Sequence, residues 1–166
     1  MDNHPDKEAF LQLIETNKGI IFKICNTYCT NAHDREDLAQ EIIYQLWRSS
    51  GTFDPAYRFS TWMYRVALNV AISFYRKVKA SHEKIELTEE LPLIAENTNT
   101  EKEENIHLLQ QFISELKELD RALMILYLDG RSYSEIAEVL GITETNVATK
   151  TSRIKEKLKQ KFASHQ

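Results

Sequence analysis

The sequence predicts an all-α chain: two small helical domains joined by a flexible acidic linker, the second a helix-turn-helix four-helix domain. Three observations predict it. Apolar residues return every three or four positions along most of the length, the period of a helix face rather than the alternation of a strand. Only 4 Gly and 3 Pro fall among 166 residues, too few for a turn-rich β architecture. The helical pattern breaks at length only once, in the middle, where the composition also turns acidic. The expected boundaries are 8–78 for the first domain, 79–103 for the linker and 104–162 for the second domain.

The totals bound the function before any motif does. A hydrophobic fraction of 42% is enough for a folded core, yet no apolar run approaches the roughly 18 residues of a bilayer span. The opening residues, MDNHPDKEAF, are polar and acidic, unlike a secretory signal. The expected location is therefore the cytoplasm, with no membrane insertion. Cys25 and Cys29 fall four apart, and His33 follows four later, a spacing that suits a metal face. No fourth ligand accompanies them, and the favoured reading is two small apolar residues packed in a helical core. No metal and no cofactor is expected. Paired nucleophile and base, phosphate-binding glycine loop and metal set are all missing from the sequence, so an enzyme is not predicted.

In the first domain, Phe10, Leu13, Ile14, Ile20, Ile21 and Ile24 keep helical spacing through Tyr28. After the break TNAHD, the segment DREDLAQEIIYQLWRSS places Leu38, Ala39, Ile42, Ile43 and Leu46 on one side, with about 100° of turn per residue. Asp37, Gln40, Glu41, Tyr44 and Arg48 fall on the other. Asp34 is the expected N-cap. The loop from Gly51 to Ser60 is rich in aromatic side chains: Phe53, Tyr57 and Phe59, with Arg58 among them. The helix that starts near Thr61 has an expected core stripe of Met63, Val66, Ala67, Val70 and Phe74. Its opposite stripe is Trp62, Arg65, Asn69, Ser73 and Arg76. An aromatic plate, guanidiniums and an amide on one face suit an unstacked nucleic-acid strand. Aromatic rings stack on bases, Arg holds phosphate and Asn can bond a base edge.

The net charge of −4 hides a segregation. Residues 1–77 hold nine basic and nine acidic side chains, residues 78–118 four and ten, and residues 119–166 eight and six. The middle is thus the acidic part, and with Pro92 and an Asn/Thr run it reads as linker.

In the second domain, Ile106, Leu109, Ile113 and Leu116 share one helix face, and Leu123, Leu126 and Tyr127 continue the pattern to a stop at Gly130. Ser132 and Glu135 have the spacing of a capping box. The next helix buries Ile136, Ala137 and Leu140. Gly141 turns the chain, Ile142 plugs the corner and Thr143 caps a last helix with Val147, Thr151, Ile154 and Leu158 inward. Small residue, glycine turn and plugging apolar residue at these spacings are the grammar of a helix-turn-helix. From Lys150 onward the last helix carries Lys150, Arg153, Lys155, Lys157, Lys159 and Lys161 against one Glu156, so the local field is positive even in an acidic chain. Thr145, Asn146 and Thr149 are candidates for base edges. Lys150, Arg153 and Lys157 are candidates for phosphate or guanine.

Together the segments resemble the extracytoplasmic-function sigma factors of bacterial RNA polymerase, over nearly the whole chain. DREDLAQEIIYQLW resembles the region-two motif that grips the polymerase β′ clamp helices. FSTWMYRVALNVAISFYRK resembles the part that melts and reads the −10 promoter element. YSEIAEVLGITETNVATKTSRIKEKL resembles region four, which reads the −35 element and meets the β flap. The resemblance implies core-polymerase contacts at Asp37, Gln40, Glu41 and Tyr44. It implies −10 contacts at Phe53, Tyr57, Arg58, Phe59, Trp62, Arg65, Asn69 and Arg76. It implies −35 contacts at Thr145, Asn146, Thr149, Lys150, Arg153 and Lys157. Core RNA polymerase, promoter DNA and an anti-sigma factor are the implied partners. The rival expectation is a stand-alone helix-turn-helix regulator whose first half senses a ligand or dimerises.

Overall fold

The computed structural model describes residues 4–83 and 101–165, and every regular element among them is helical. The order is α1 Lys7–Thr16, α2 Lys18–Tyr28, α3 Ala32–Arg48, a short 3-10 turn Ser50–Thr52, α4 Phe59–Glu83, α5 Glu101–Ser114, α6 Glu118–Leu128, α7 Tyr133–Leu140 and α8 Glu144–Ser164. Helices α1–α4 form the first module and α5–α8 the second. Helix α4 continues to Glu83 and α5 begins at Glu101, so both ends of the expected linker are helical. Its remainder, 84–100, lies outside the described residues.

The apolar run from Phe10 to Tyr28 is two helices, not one. Asn17 leaves helical geometry at φ −108° and ψ 14°. Its amide Nδ2 donates to the Leu13 carbonyl at 2.8 Å, so the side chain caps the end of α1. The start of α3 also differs from expectation. Asn31, not Asp34, is the N-cap: its Oδ1 accepts from the Asp34 amide and its Nδ2 donates to the Asp34 carboxylate, each at 2.8 Å. Asp34 sits in the first turn, where the same side chain closes a reciprocal pair.

The first core is built by Ile24, Leu38, Ile42, Leu46, Met63 and Ala67, all wholly buried. Ile43 is 41% exposed, because it stands one full residue step beyond Ile42 at the edge of the apolar stripe. The buried face of α4 is likewise rotated from expectation. Met63, Tyr64, Ala67, Leu68 and Ala71 are buried, whereas Val66, Val70 and Phe74 are half-buried. The rotation has a cause in the second module: α6 and α7 pack against α4, so one helix is covered from two sides.

The second module keeps the expected grammar. Ile136, Leu123, Leu126 and Val147 are fully buried, and Ala137 lies under the turn. Ile106 departs from expectation at 48% exposed, since Phe112 and Ile113 carry the buried end of α5. Gly130 and Gly141 hold φ of 75° and 68°, the left-handed region that glycine enters without a Cβ clash. Each lets the next amide reach back: Arg131 N to Leu126 O and Ile142 N to Ala137 O, both at 3.1 Å. Ser132 accepts from the Glu135 amide at 3.2 Å and Thr143 from the Asn146 amide at 3.1 Å, so α7 and α8 start where the sequence placed them.

The two modules lie against each other. Tyr28 Oη donates to the Glu118 carbonyl at 2.6 Å. The buried Arg121 donates to the Leu116 carbonyl at 2.7 Å and to Tyr75 Oη at 3.1 Å, with its guanidinium 4.4 Å from the Tyr75 ring centre. Cys25 and Cys29 are buried in the first module, as core packing requires. Burial pushes their thiols up, to about 12 and about 11, which keeps them protonated and unreactive at neutral pH.

Candidate nucleic-acid and polymerase interface

Three faces carry the predicted site residues. The first is the outer side of α3. Asp37, Gln40, Glu41 and Tyr44 are all exposed there, with Ile43 beside them. Leu38, Ile42 and Leu46 hold the opposite side in the core, so the helix cannot roll and the acidic side must face out. His33 Nε2 lies 3.4 Å from the Asp37 carboxylate, one helical turn before it. Asp37, Gln40, Glu41 and Tyr44 line an open groove whose far wall is Asn69, Ser73 and Lys77 of α4. An anionic rim with an exposed tyrosine and isoleucine suits a protein partner better than a phosphate backbone.

The second face is the loop 53–60 with the start of α4. Phe53, Phe59 and Trp62 form a cluster with centroids 5.3–5.5 Å apart, and Phe10 closes it from α1. Phe53, Phe59 and Trp62 are half-buried, each holding the loop while leaving part of itself open, and Phe10 is buried beneath them. Tyr57 is the loop ring that stands clear, at 64% exposed. Arg58, Arg65, Asn69 and Arg76 are exposed. Along α4, Trp62 and Arg65 adjoin the loop, Asn69 joins the α3 groove, and Arg76 lies 3.8 Å from Glu118 of α6. The stripe read from the sequence is therefore real, but its members look into different surroundings.

The third face is the outer side of α8. Thr145, Asn146, Thr149 and Arg153 are exposed, fixed there by Val147, Thr151, Ile154 and Leu158 in the core. The Thr149 hydroxyl donates to the Thr145 carbonyl at 3.0 Å, which leaves its lone pairs free to accept from a base amino group. Lys150 and Lys157 lie on the flank. Lys150 reaches Asp120 of α6 at 3.6 Å, and Lys157 borders a cleft with Leu116 and Asp120.

Sequence reasoning missed a polar junction between the modules. Asp129, at the end of α6, accepts from Lys23 Nζ at 2.7 Å, Tyr64 Oη at 2.9 Å and Arg131 Nε at 3.1 Å. Burial alone would raise the Asp129 carboxyl, but these three donors outweigh it and hold it below the usual range. Burial and donation to Asp129 push the Tyr64 hydroxyl the other way, upward. Arg131 continues across the junction, with Nη1 2.9 Å from Ser60 Oγ at the start of α4. Tyr64 gave no signal in sequence, because the burial that obliges its hydroxyl to find a partner comes from packing of the second module.

Fold and faces together define a two-module helical protein that presents a helix-turn-helix beside a separate basic and aromatic surface. The Sigma-70 region 2 family matches residues 13–81, and the Sigma-70, region 4 family matches residues 106–158. The ECF RNA polymerase sigma factor SigW of Bacillus subtilis is 31% identical over 169 residues, covering 95% of this chain and 90% of that protein. The ECF RNA polymerase sigma-E factor of Escherichia coli is 27% identical, covering 94% and 87%. Two solved structures share the fold: CnrH in complex with the cytosolic domain of CnrY and the sigma factor RpoE in complex with the anti-sigma factor NepR from Bartonella quintana. Each has a TM-score of 0.71, with 19% and 16% identity, and they cover 97% and 92% of this chain and 92% and 96% of theirs. The chain belongs to the extracytoplasmic-function sigma factors of bacterial RNA polymerase.

Proposed function

We propose that this sigma factor divides promoter recognition among its three faces. The α3 face, with Asp37, Gln40, Glu41 and Tyr44, docks on the β′ clamp helices of core polymerase. The 53–60 loop with Trp62, Arg65, Asn69 and Arg76 takes the melted −10 strand. Thr145, Asn146, Thr149 and Arg153 on α8 read the −35 duplex, with Lys150 and Lys157 on neighbouring phosphates, while the second module meets the β flap. The work is binding rather than bond chemistry. Capturing extruded bases offsets the few kcal/mol that unstacking costs, so opening is favoured where the captured bases fit.

One observation carries this reading above a stand-alone regulator. The first module joins an exposed acidic helix to a basic and aromatic stripe on α4. The match to region 2 falls on that same half. The site of action is the cytoplasm, where polymerase works, and no described helix is long and apolar enough to cross a membrane. The RpoE and NepR complex supports an anti-sigma factor as the further partner. Run-off transcription with purified core enzyme tests the reading. Discrete start sites that depend on the added protein are expected. Core enzyme that gains no promoter-specific product, together with no co-migration of the two on a sizing column, would overturn it.

A further inference from the structure

Part of the surface assigned to the −10 strand is bordered by the protein's own second module. Glu138 and Val139 of α7 line one cleft with Phe53, Tyr57, Trp62 and Arg65. One turn earlier, Glu135 sets one carboxylate oxygen 3.6 Å from Arg58 Nη1 and the other 3.5 Å from Arg131 Nη1. Its Oε2 is buried with no hydrogen-bond partner, so the attraction there is Coulombic and incompletely satisfied. Arg58 is 74% exposed, and an ion pair so open to water contributes little by itself. The Glu135 carboxylate of α7 thus lies where a strand phosphate would compete for the Arg58 guanidinium, in a contact weak enough to exchange.

The Asp129 junction holds α7 in that position. Lys23 comes from α2, Tyr64 from α4 and Arg131 from the turn into α7, and all three converge on one carboxylate. Arg131 also ties that turn to Ser60, two residues from Trp62. The bonds of Lys23 and Tyr64 to Asp129 and of Arg131 to Ser60 run between modules, and none of Asp129, Lys23 or Tyr64 belongs to the faces assigned to polymerase or DNA.

We propose that α7 is a built-in competitor of the −10 strand: the Asp129 latch holds Glu135 beside Arg58 and α7 against the cleft of Trp62 and Arg65, and strand binding requires the latch to open. This rests on the strand-binding role assigned above. A ligand that binds only the open form has its apparent affinity reduced by the open fraction. If about a tenth of the free protein is open, releasing the latch tightens strand binding about tenfold.

The double variant K23E/Y64F of the full chain tests this. It removes two of the three donors to Asp129, one at an exposed side chain and one by loss of a hydroxyl only. It also makes the protein more acidic, so general electrostatics predicts weaker DNA binding whereas latch release predicts tighter binding. Fluorescence anisotropy with a labelled single-stranded DNA oligonucleotide of mixed sequence should show about tenfold tighter binding than wild type. Amide exchange over residues 58–65 should lose protection, with the helical circular dichroism unchanged. Unchanged protection, or strand affinity that stays level or falls, overturns the latch. Should the double variant misfold, Y64F alone decides on the same two readouts, with smaller shifts in the same directions. Wild-type protein that drives promoter-specific transcription while the latch variants bind no tighter sinks the latch and leaves the function. Protein that drives no transcription with core enzyme in either form sinks both.

Discussion

The outer face of α8 and the start of α4 are both assigned to DNA, yet they present themselves differently. On α8, Thr145, Asn146, Thr149 and Arg153 point away from the core, and the cap at Thr143 fixes the first turn where base edges would be met. At the start of α4, Phe59 and Trp62 are half-buried and α7 forms one wall of the cleft. On the proposed assignment, one face is open to a duplex, whose groove exists beforehand. The other is partly walled by α7, and its proposed ligand, a flipped strand, exists only after melting. The difference implies that affinity for closed DNA and capture of opened DNA should be separable by substitution in this chain.

The largest expected effect asks whether the halves stand or fall together. Leu38→Ala in the first core or Leu126→Ala in the second removes a wholly buried side chain and should cost about 2–5 kcal/mol. If the junction couples the modules, either change shifts one common melting transition. Two transitions, of which only one moves, would show that the modules unfold independently. Next, Arg153→Ala should weaken −35 duplex binding by about 1–3 kcal/mol if the guanidinium reads guanine. If it holds phosphate, the slope of log affinity against log salt should instead fall by about one. A variant matching wild type in affinity and slope would remove Arg153 from the contact face. Asp37→Arg reverses an exposed charge on α3 and should weaken core-polymerase association by at least about tenfold while the melting temperature stays put. Unchanged association would detach that face from the clamp.

The comparison also shows what was legible in the sequence. The helix-turn-helix was readable in detail, because Ser132, Gly141 and Thr143 act locally: a cap or a positive φ needs no distant partner. The outward residues of α3 and α8 followed from helical period alone. What could not be read was set by long-range packing. The core face of α4 turned toward Tyr64 and Leu68 because a second module covers it, and nothing within 59–83 encodes that module's position. Glu135 had the spacing to close a capping box, yet its carboxylate goes to Arg58 and Arg131. Asp129 lies 106 positions from Lys23 and 65 from Tyr64, so no window along the chain could have joined them.

The smallest effect concerns pH. Asp129 is held below its ordinary value of 3.8 by Lys23, Tyr64 and Arg131, the groups that face it. A carboxylate depressed in the folded state contributes stability that is fully present above the unfolded value and is lost as pH falls through the folded one. The junction should therefore be insensitive to pH from neutrality to about 4 and weaken only below that. Asp129→Asn should remove this part of the acid dependence of the melting temperature. An acid limb identical in wild type and variant would show that Asp129 is not the titrating group.

Permanganate footprinting of promoter complexes tests the division of labour most directly. Arg65 and Asn69 are the cleanest positions, since both are exposed and neither supports the aromatic cluster as Trp62 does. With the double variant R65A/N69A on core enzyme, reactivity of thymines in the −10 region should drop sharply while protection of the −35 duplex persists. A bubble as reactive as that of wild type, or loss of both signals together, would contradict the account.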